Sequence, residues 1–449
     1  MLWLYLVPLP QAGCQTSRIG ETHVTAPAAG TRDTSPAALI LVYCSLAEII
    51  IAQAQAGDPS YSFATLAGTA GSQGYVDAEG SAARFNGPFG IAADTDGNVY
   101  VSDTGIHLVR KIDPTGNVST FAMLGFPEGL AVDRDGVIYV ADDGCNKIYR
   151  ITRDGMMSVL AGSGVAGSAD GMGTAAQFNA PLGVAVDGGG NVYVADANNH
   201  TIRQISPAGY VSTLAGLAGS TGFGFVDGTG SAARFVFTQA VATDSGGNNI
   251  YVVDNDTIRR ITPVGVVTTI AGSPGASGSS DGTASAARFK DPAGVAVDNN
   301  GEVYVADAGN YTLRKVSSGN VVTTVAGSPG NIGANDGDGN ATRFNYLGGV
   351  AVDITGSIYI ADHNNYTVRL GGTSVISQTL KVFELPSGLM LTGHAAPSSA
   401  VVVSATSDLQ TSFEMIATVE ANAVGAFRYQ DTSSETYRSR FYSATIPSH

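Results

Sequence analysis

A motif of about fifteen residues returns six times between Phe89 and Arg369: a glycine-led apolar run ending in Asp, a short turn, an aromatic-led run ending in Asp, and a strand bearing Arg. A unit of that size cannot bury its own apolar face, so its regular return commits the chain to stacking copies of itself. The clearest copy reads Gly183-Val184-Ala185-Val186-Asp187, Gly190-Asn191, Val192-Tyr193-Val194-Ala195-Asp196, Thr201-Ile202-Arg203-Gln204-Ile205 and Val211-Ser212-Thr213-Leu214-Ala215-Gly216. The first Asp of each copy falls at Asp94, Asp133, Asp187, Asp244, Asp298 and Asp353, giving spacings of 39, 54, 57, 54 and 55 residues. The second falls nine or ten residues later, at Asp103, Asp142, Asp196, Asp254, Asp307 and Asp362.

Within each copy, short β-branched and aromatic runs are separated by Gly, Asn and Asp, the pattern of short strands joined by tight turns. Four strands can be read per copy, and no stretch keeps a helical period. Six such sheets, packed face to face around an axis, bury what one sheet cannot. The Gly-Val-Ala-Val-Asp, Tyr-Val-Ala-Asp and Asn-x-x-Ile-Arg runs resemble the NHL repeat from roughly Phe63 to Leu370. The resemblance implies an all-β, six-bladed propeller with the glycine-led strand nearest the axis. The last copy lacks a clear fourth strand, and Phe63-Ala64-Thr65-Leu66-Ala67-Gly68 precedes the first as a spare. We expect this spare to close the last blade and hide two open edges; the rival is Ser374-Val375-Ile376.

The motif map leaves two flanks and divides the chain into 1–56, 57–371 and 372–449. Ala37 to Ala52 is mostly apolar and runs into Ala52-Gln53-Ala54-Gln55-Ala56, which reads as a leader with small-x-small cleavage sites. Its late start and single nearby Arg32 fit an overlong gene start, and Leu9 to Cys14 only faintly resembles a lipoprotein site. Export to a secreted or cell-envelope location is therefore expected, with no membrane span, because the run is shorter than about 20 residues and contains Glu48. After the leader, Cys145 stands alone and no disulfide framework is possible. In the C-terminal flank, runs at Leu389, Ala400, Phe413, Ala426 and Arg440 read as strands of a small β-sandwich. That flank resembles the β modules of secreted bacterial multidomain proteins.

The repeat carries its own charges. Asp103 with Arg110, Asp196 with Arg203, Asp307 with Arg314 and Asp362 with Arg369 are each seven apart, and Asp254 with Arg259 keeps the pair across a shorter turn. A hairpin sets such positions side by side, so a structural ion pair in each blade is expected. The second blade has Tyr149 where the Arg should be. The first-strand Asp residues precede glycine turns and read as turn formers.

Five connectors carry variants of Gly-x-x-Asp-Gly-x-Gly-x-Ala-x-Arg-Phe, with Arg84, Arg234, Arg288 and Arg343 before the Phe and Gln177 once in that place. Lying on one face of the disc, they would form a broken ring of Arg and Asp around the channel mouth. Either they are blade spacers, or the Arg residues meet an anionic or peptide-carboxylate ligand. The copies disagree just before the glycine-led strand, at Phe89, Glu128, Leu182, Gln239, Ala293 and Gly348. Glu128 and Gln239 are thus candidate ligand contacts, Glu128 foremost.

With 23 Lys and Arg against 38 Asp and Glu, the chain has net charge −15, and removing 1–56 leaves 21 against 35, or −14. Nucleic acid is excluded as a general partner. No histidine pair or Cys-x-x-Cys has zinc-ligand spacing, and the Asp-Gly-x-Gly loops resemble calcium loops without the distal Glu. No cofactor is expected. The reading is a monomeric, non-catalytic extracellular propeller that recognises protein, peptide or glycan on the connector face. The alternative implied by the family resemblance is a hydrolase or lyase, lactonase-like or amidating-lyase-like, with a divalent metal in the channel.

Overall fold

A computed structural model describes residues 61–219 and 221–373, together with backbone strands between Lys381 and Thr445. The leader assigned to 1–56 lies outside the described residues. Residues 61–373 form six antiparallel sheets, each a blade. In blade 3 the order from the axis is Pro181–Val186, Val192–Asp196, Thr201–Ile205 and Tyr210–Gly216. The inner strands begin at Pro88, Pro127, Pro181, Thr238, Pro292 and Leu347, and each abuts those of both neighbouring blades, the last touching the first. The array is a closed six-bladed propeller.

Closure comes from the chain's other end. Tyr61–Gly68 is the outer strand of blade 6 and pairs antiparallel with Thr367–Thr373. Phe63 is buried there, edge-on to Phe344 with ring centroids 5.7 Å apart. The spare strand thus hides the edge, and the rival Ser374-Val375-Ile376 lies outside the described residues.

The middle strand of every blade, Val-Tyr-Val-Ala-Asp in blades 3 and 5, is buried along its whole length. It is sandwiched between sheets, which is why its sequence is apolar throughout and does not alternate. The connector phenylalanines fill the wedges between blades: Phe85 packs against Val101 and Ile112 of blade 1 and Tyr359 and Val368 of blade 6. Each such ring is fully buried and contributes about 1.5–3 kcal/mol. First-strand Asp residues close the turns, Asp187 accepting from the Gly189 and Asn191 amides at 2.9 Å and from Tyr193 Oη at 3.0 Å.

Glycine leads the inner strand for a packing reason. A Cβ on Gly90 would lie 2.2 Å from the Glu128 carbonyl oxygen, and one on Gly129 would lie 2.5 Å from that of Leu182. At these positions only a residue without a side chain lets the backbones converge at the axis, whereas blade 4 places Ala240 there.

In the C-terminal flank, Lys381–Leu385, Gly388–His394 and Ala426–Asp431 form one three-stranded sheet, and Ala400–Thr406, Glu414–Glu420 and Phe441–Thr445 form another. Lys381–Leu385 is additional to the runs read from the sequence.

Candidate functional site

The repeated charges are consumed by the scaffold. Arg203 is fully buried, with Nη1 2.8 Å from Asp196 Oδ2 and Nη2 2.7 Å from Asp170 Oδ1, the Asp of its own connector. Its remaining hydrogen bonds go to the carbonyls of Gln177 and Ala169, and its guanidinium lies 5.2 Å from the centroid of the Phe178 ring. Arg110 holds Asp103 and Asp77, Arg259 holds Asp254 and Asp227, Arg314 holds Asp307 and Asp281, and Arg369 holds Asp362 and Asp336 in the same way. Burial pushes the carboxyls of Asp103 and Asp307 up to about 6, against amide hydrogen bonds and the neighbouring guanidiniums. Two carboxylates, two carbonyls and an aromatic face leave these arginines no room for a ligand.

The connector arginines sit elsewhere than a ring around the channel. Their loops lie against the outermost strands, as Gly171–Met172 does against Tyr210 and Val211. Arg84 donates to the carbonyls of Ser81 and Ala83, and Arg234, Arg288 and Arg343 repeat that pattern within their own loops. The expected ring of Arg and Asp at the mouth gives way to a rim decoration, because each connector first covers the edge of the blade it introduces. Nor do the connector arginines pair with a carboxylate among the described residues; the connector Asp serves the strand Arg instead.

The axis is nearly sealed. A cavity of about 50 Å³, room for very few waters, is lined by Phe89, Leu182, Gln239, Ala293, Gly348 and the glycines beside them. Above it, on the face where the connectors arrive, the copies differ. Burial, then the nearby Asp143, pushes the Glu128 carboxyl up to about 8. That carboxyl has no hydrogen-bond partner among the described residues, while the Glu128 carbonyl accepts from Ser102 Oγ at 2.5 Å. Tyr346 Oη donates to Asp291 Oδ2 at 3.2 Å, and burial, Asp291 and Glu128 together raise its phenol to about 12. Glu128 and Tyr346 therefore sense each other across the mouth, from blades 2 and 6.

The remaining blades complete a belt. The Asp291 amide hydrogen-bonds Asp256, whose carboxyl burial pushes up. The ring of His363 lies edge-on to Phe89 and Tyr346, with Nδ1 3.2 Å from the Pro88 carbonyl oxygen, and burial lowers its basicity. Asp291 and Tyr346 both hold left-handed backbone, φ 48° and 64°, at the place where blade 1 uses Gly87. Ala180 of blade 3 holds the same conformation, φ 53°, so the left-handed turn before the inner strand belongs to the repeat. Among the described residues, no three His, Cys, Asp or Glu side chains are grouped as a metal ion would need.

The repeats match the family model described as NHL repeat at residues 178–205 and 289–316. The chain is thus a six-bladed β-propeller that carries NHL repeats. It is 28% identical over 318 residues to protein SUPPRESSOR OF QUENCHING 1 of Arabidopsis thaliana, covering 67% of this chain and 26% of that one. It is 27% identical over 326 residues to Teneurin-3 of Danio rerio, covering 63% and 12% respectively. The chain thus spans about a quarter or less of the length of these relatives. Among solved structures, a protein of unknown function from Bacteroides thetaiotaomicron superposes with TM-score 0.57 at 22% identity, covering 70% of this chain and 76% of that chain. An auxiliary nutrient binding protein from the same organism gives 0.55 at 19%, covering 70% and 77%. Likeness at these identities is likeness of fold.

Of the residues the structure brings to this mouth, sequence reasoning named Glu128 and Gln239 as candidates and noted His363 as out of register with the other repeat histidines, but did not name Asp143, Asp291 or Tyr346. The signal was available. The residue after the second Asp reads Thr104, Asp143, Ala197, Asn255, Ala308 and His363, as uneven a column as the one that singled out Glu128.

Proposed function

We propose that this NHL propeller is a non-catalytic, extracytoplasmic recognition protein that holds a neutral, hydroxyl-rich ligand, such as a glycan, at the axial mouth of the connector face. One observation carries the proposal: Glu128 is a half-buried carboxyl without a protein partner, in a repeat that otherwise saturates its charges. Held neutral at pH 7, it both donates and accepts, as a sugar hydroxyl requires. The amide of Gln239 adds two donors and an acceptor, and Phe89 and Tyr346 supply aromatic surface. One propeller of like fold is described as an auxiliary nutrient binding protein, a role that accords with this reading.

The experiment is a glycan array followed by calorimetry of the best neutral glycan from pH 6 to 9. Affinity should hold below pH 8 and fall as Glu128 ionises near that value. Glu128→Gln should keep binding and lose the pH dependence, and Gln239→Ala should weaken binding about tenfold, the loss expected when a buried polar contact goes unpaired. A ligand whose affinity instead rises above pH 8 would be cationic, and the peptide reading would replace the glycan one. Turnover of the bound glycan in the same cell would establish an enzyme.

A further inference from the structure

We propose that the outer edge of blade 2 docks a second copy of this chain, strand against strand about a two-fold axis. In blades 3 to 6 a two-residue strand of the connector lies on the outermost strand and ends the sheet. In blade 1 the connector does the same work, the Val118 amide donating to the Ala78 carbonyl and the Thr120 amide to Asp77 Oδ2, both at 2.9 Å. Blade 2 has no such connector, because its inner strand begins at Pro127, directly after the blade 1 strand ending at Met123. Its outer strand Met157–Ala161 is therefore a bare edge among the described residues.

The register shows what the missing cover exposes. Met157 stands opposite Ile151 as Val118 stands opposite Ile112, and Val159 opposite Tyr149 as Thr120 opposite Arg110. The covered equivalents Val118, Phe63, Val211, Val267 and Val322 are at most 2% exposed, whereas Met157 is 47% exposed and Met156 before it 70%. By the same register the amides of Met157 and Val159 point away from the sheet, and neither has an acceptor among the described residues. Soluble proteins blunt such edges with Lys, Pro or inward charge, and Met156-Met157-Ser158-Val159-Leu160 contains none of these.

A second copy fits the edge by chemistry and by charge. In an antiparallel pairing centred on Ser158, Met157 faces the second copy's Val159 and Met156 its Leu160, so the outward amides and carbonyls satisfy each other. Asp154, in the turn that leads into this strand, then comes to the end of the second copy's strand, where Lys147 lies: a Cβ on Gly162 would sit 3.0 Å from Lys147 Cα, and one on Gly164 would sit 3.1 Å from Lys147 Cε. Two Asp154 to Lys147 pairs form by symmetry, in a chain whose net charge of −15 otherwise drives copies apart. The two-fold axis consumes both edges, so the assembly closes as a dimer and does not grow. This proposal stands against the monomer expected from sequence.

Sedimentation velocity of the full chain over about a hundredfold range of concentration tests the proposal. The wild type should pass from single to double mass, while Val159→Lys and Met157→Glu, with unchanged circular dichroism, should stay at single mass. Asp154→Lys should weaken dimerisation several-fold, and adding Lys147→Asp should restore it. A wild type of single mass throughout, or a folded Val159→Lys that dimerises like wild type, overturns the proposal.

Discussion

Replacing Glu128 by Gln separates a role in binding from a role in folding. Ionising this carboxyl in the folded protein is disfavoured between its ordinary 4.5 and about 8. At about 1.36 kcal/mol per pH step the upper limit is roughly 5 kcal/mol, and because the side chain keeps some access to water, about 1–2 kcal/mol should survive. The sign follows from proton counts. Between pH 4.5 and 8 the folded protein holds a proton that the unfolded chain has released, so folding stability declines as pH rises through that window. Glutamine carries no such proton and removes that slope. At pH 8.5 the variant should melt about 2–6 °C above wild type, and at pH 4.5 the two should coincide. Scanning calorimetry at both pH values is the assay. Equal melting temperatures at pH 8.5, or a variant less stable there, would mean that Glu128 is solvated or paired, and the recognition argument would lose its footing.

Other substitutions test the scaffold. Arg203→Met leaves Asp196 buried without its cation and should cost about 3–5 kcal/mol, read by urea unfolding; the inverse change Tyr149→Arg in blade 2, which has no connector Asp or Phe to receive a guanidinium, should stay within about 1 kcal/mol of wild type. Phe63→Ala empties the closing strand's anchor against Phe344 and should cost about 3–5 kcal/mol, with hydrogen exchange faster in Thr367–Thr373 than in the other blades. Uniform exchange across blades would show that closure does not depend on this strand.

The fold was legible because repetition writes the same physics six times. Asp196 and Arg203 lie seven apart, so any hairpin brings them together, and the spare Phe63 strand could be matched to a blade that lacked one. The second carboxylate on each arginine was not legible. Asp170 lies 33 residues before Arg203, and nothing local says that a connector folds back on the blade it introduces. The mouth was legible only in part. Glu128 stood out within one aligned column, but its neighbours Tyr346 and His363 come from the far end of the chain, and His363 meets Pro88 across 275 residues. Ring closure brings those ends together, and a sequence records no distance between blades.

Blade 2 shows which charges are free to serve recognition. It lacks the connector, and with it the Asp, the Phe and the strand Arg, so these residues behave as one unit that is present or absent together. Where the unit is absent, Asp142 is satisfied by the amides of Gly125, Phe126 and Cys145 at 2.7 to 3.1 Å. A blade can therefore close its buried carboxylate without a cation, with amides and the Cys145 thiol, and the guanidinium serves to fasten a connector. Positive charge placed for that task is locked at the rim. On the proposed reading recognition falls to the region where successive copies differ, the six short entries to the axial strands, where the chain places a carboxyl whose ionisation burial disfavours, an amide and a phenol.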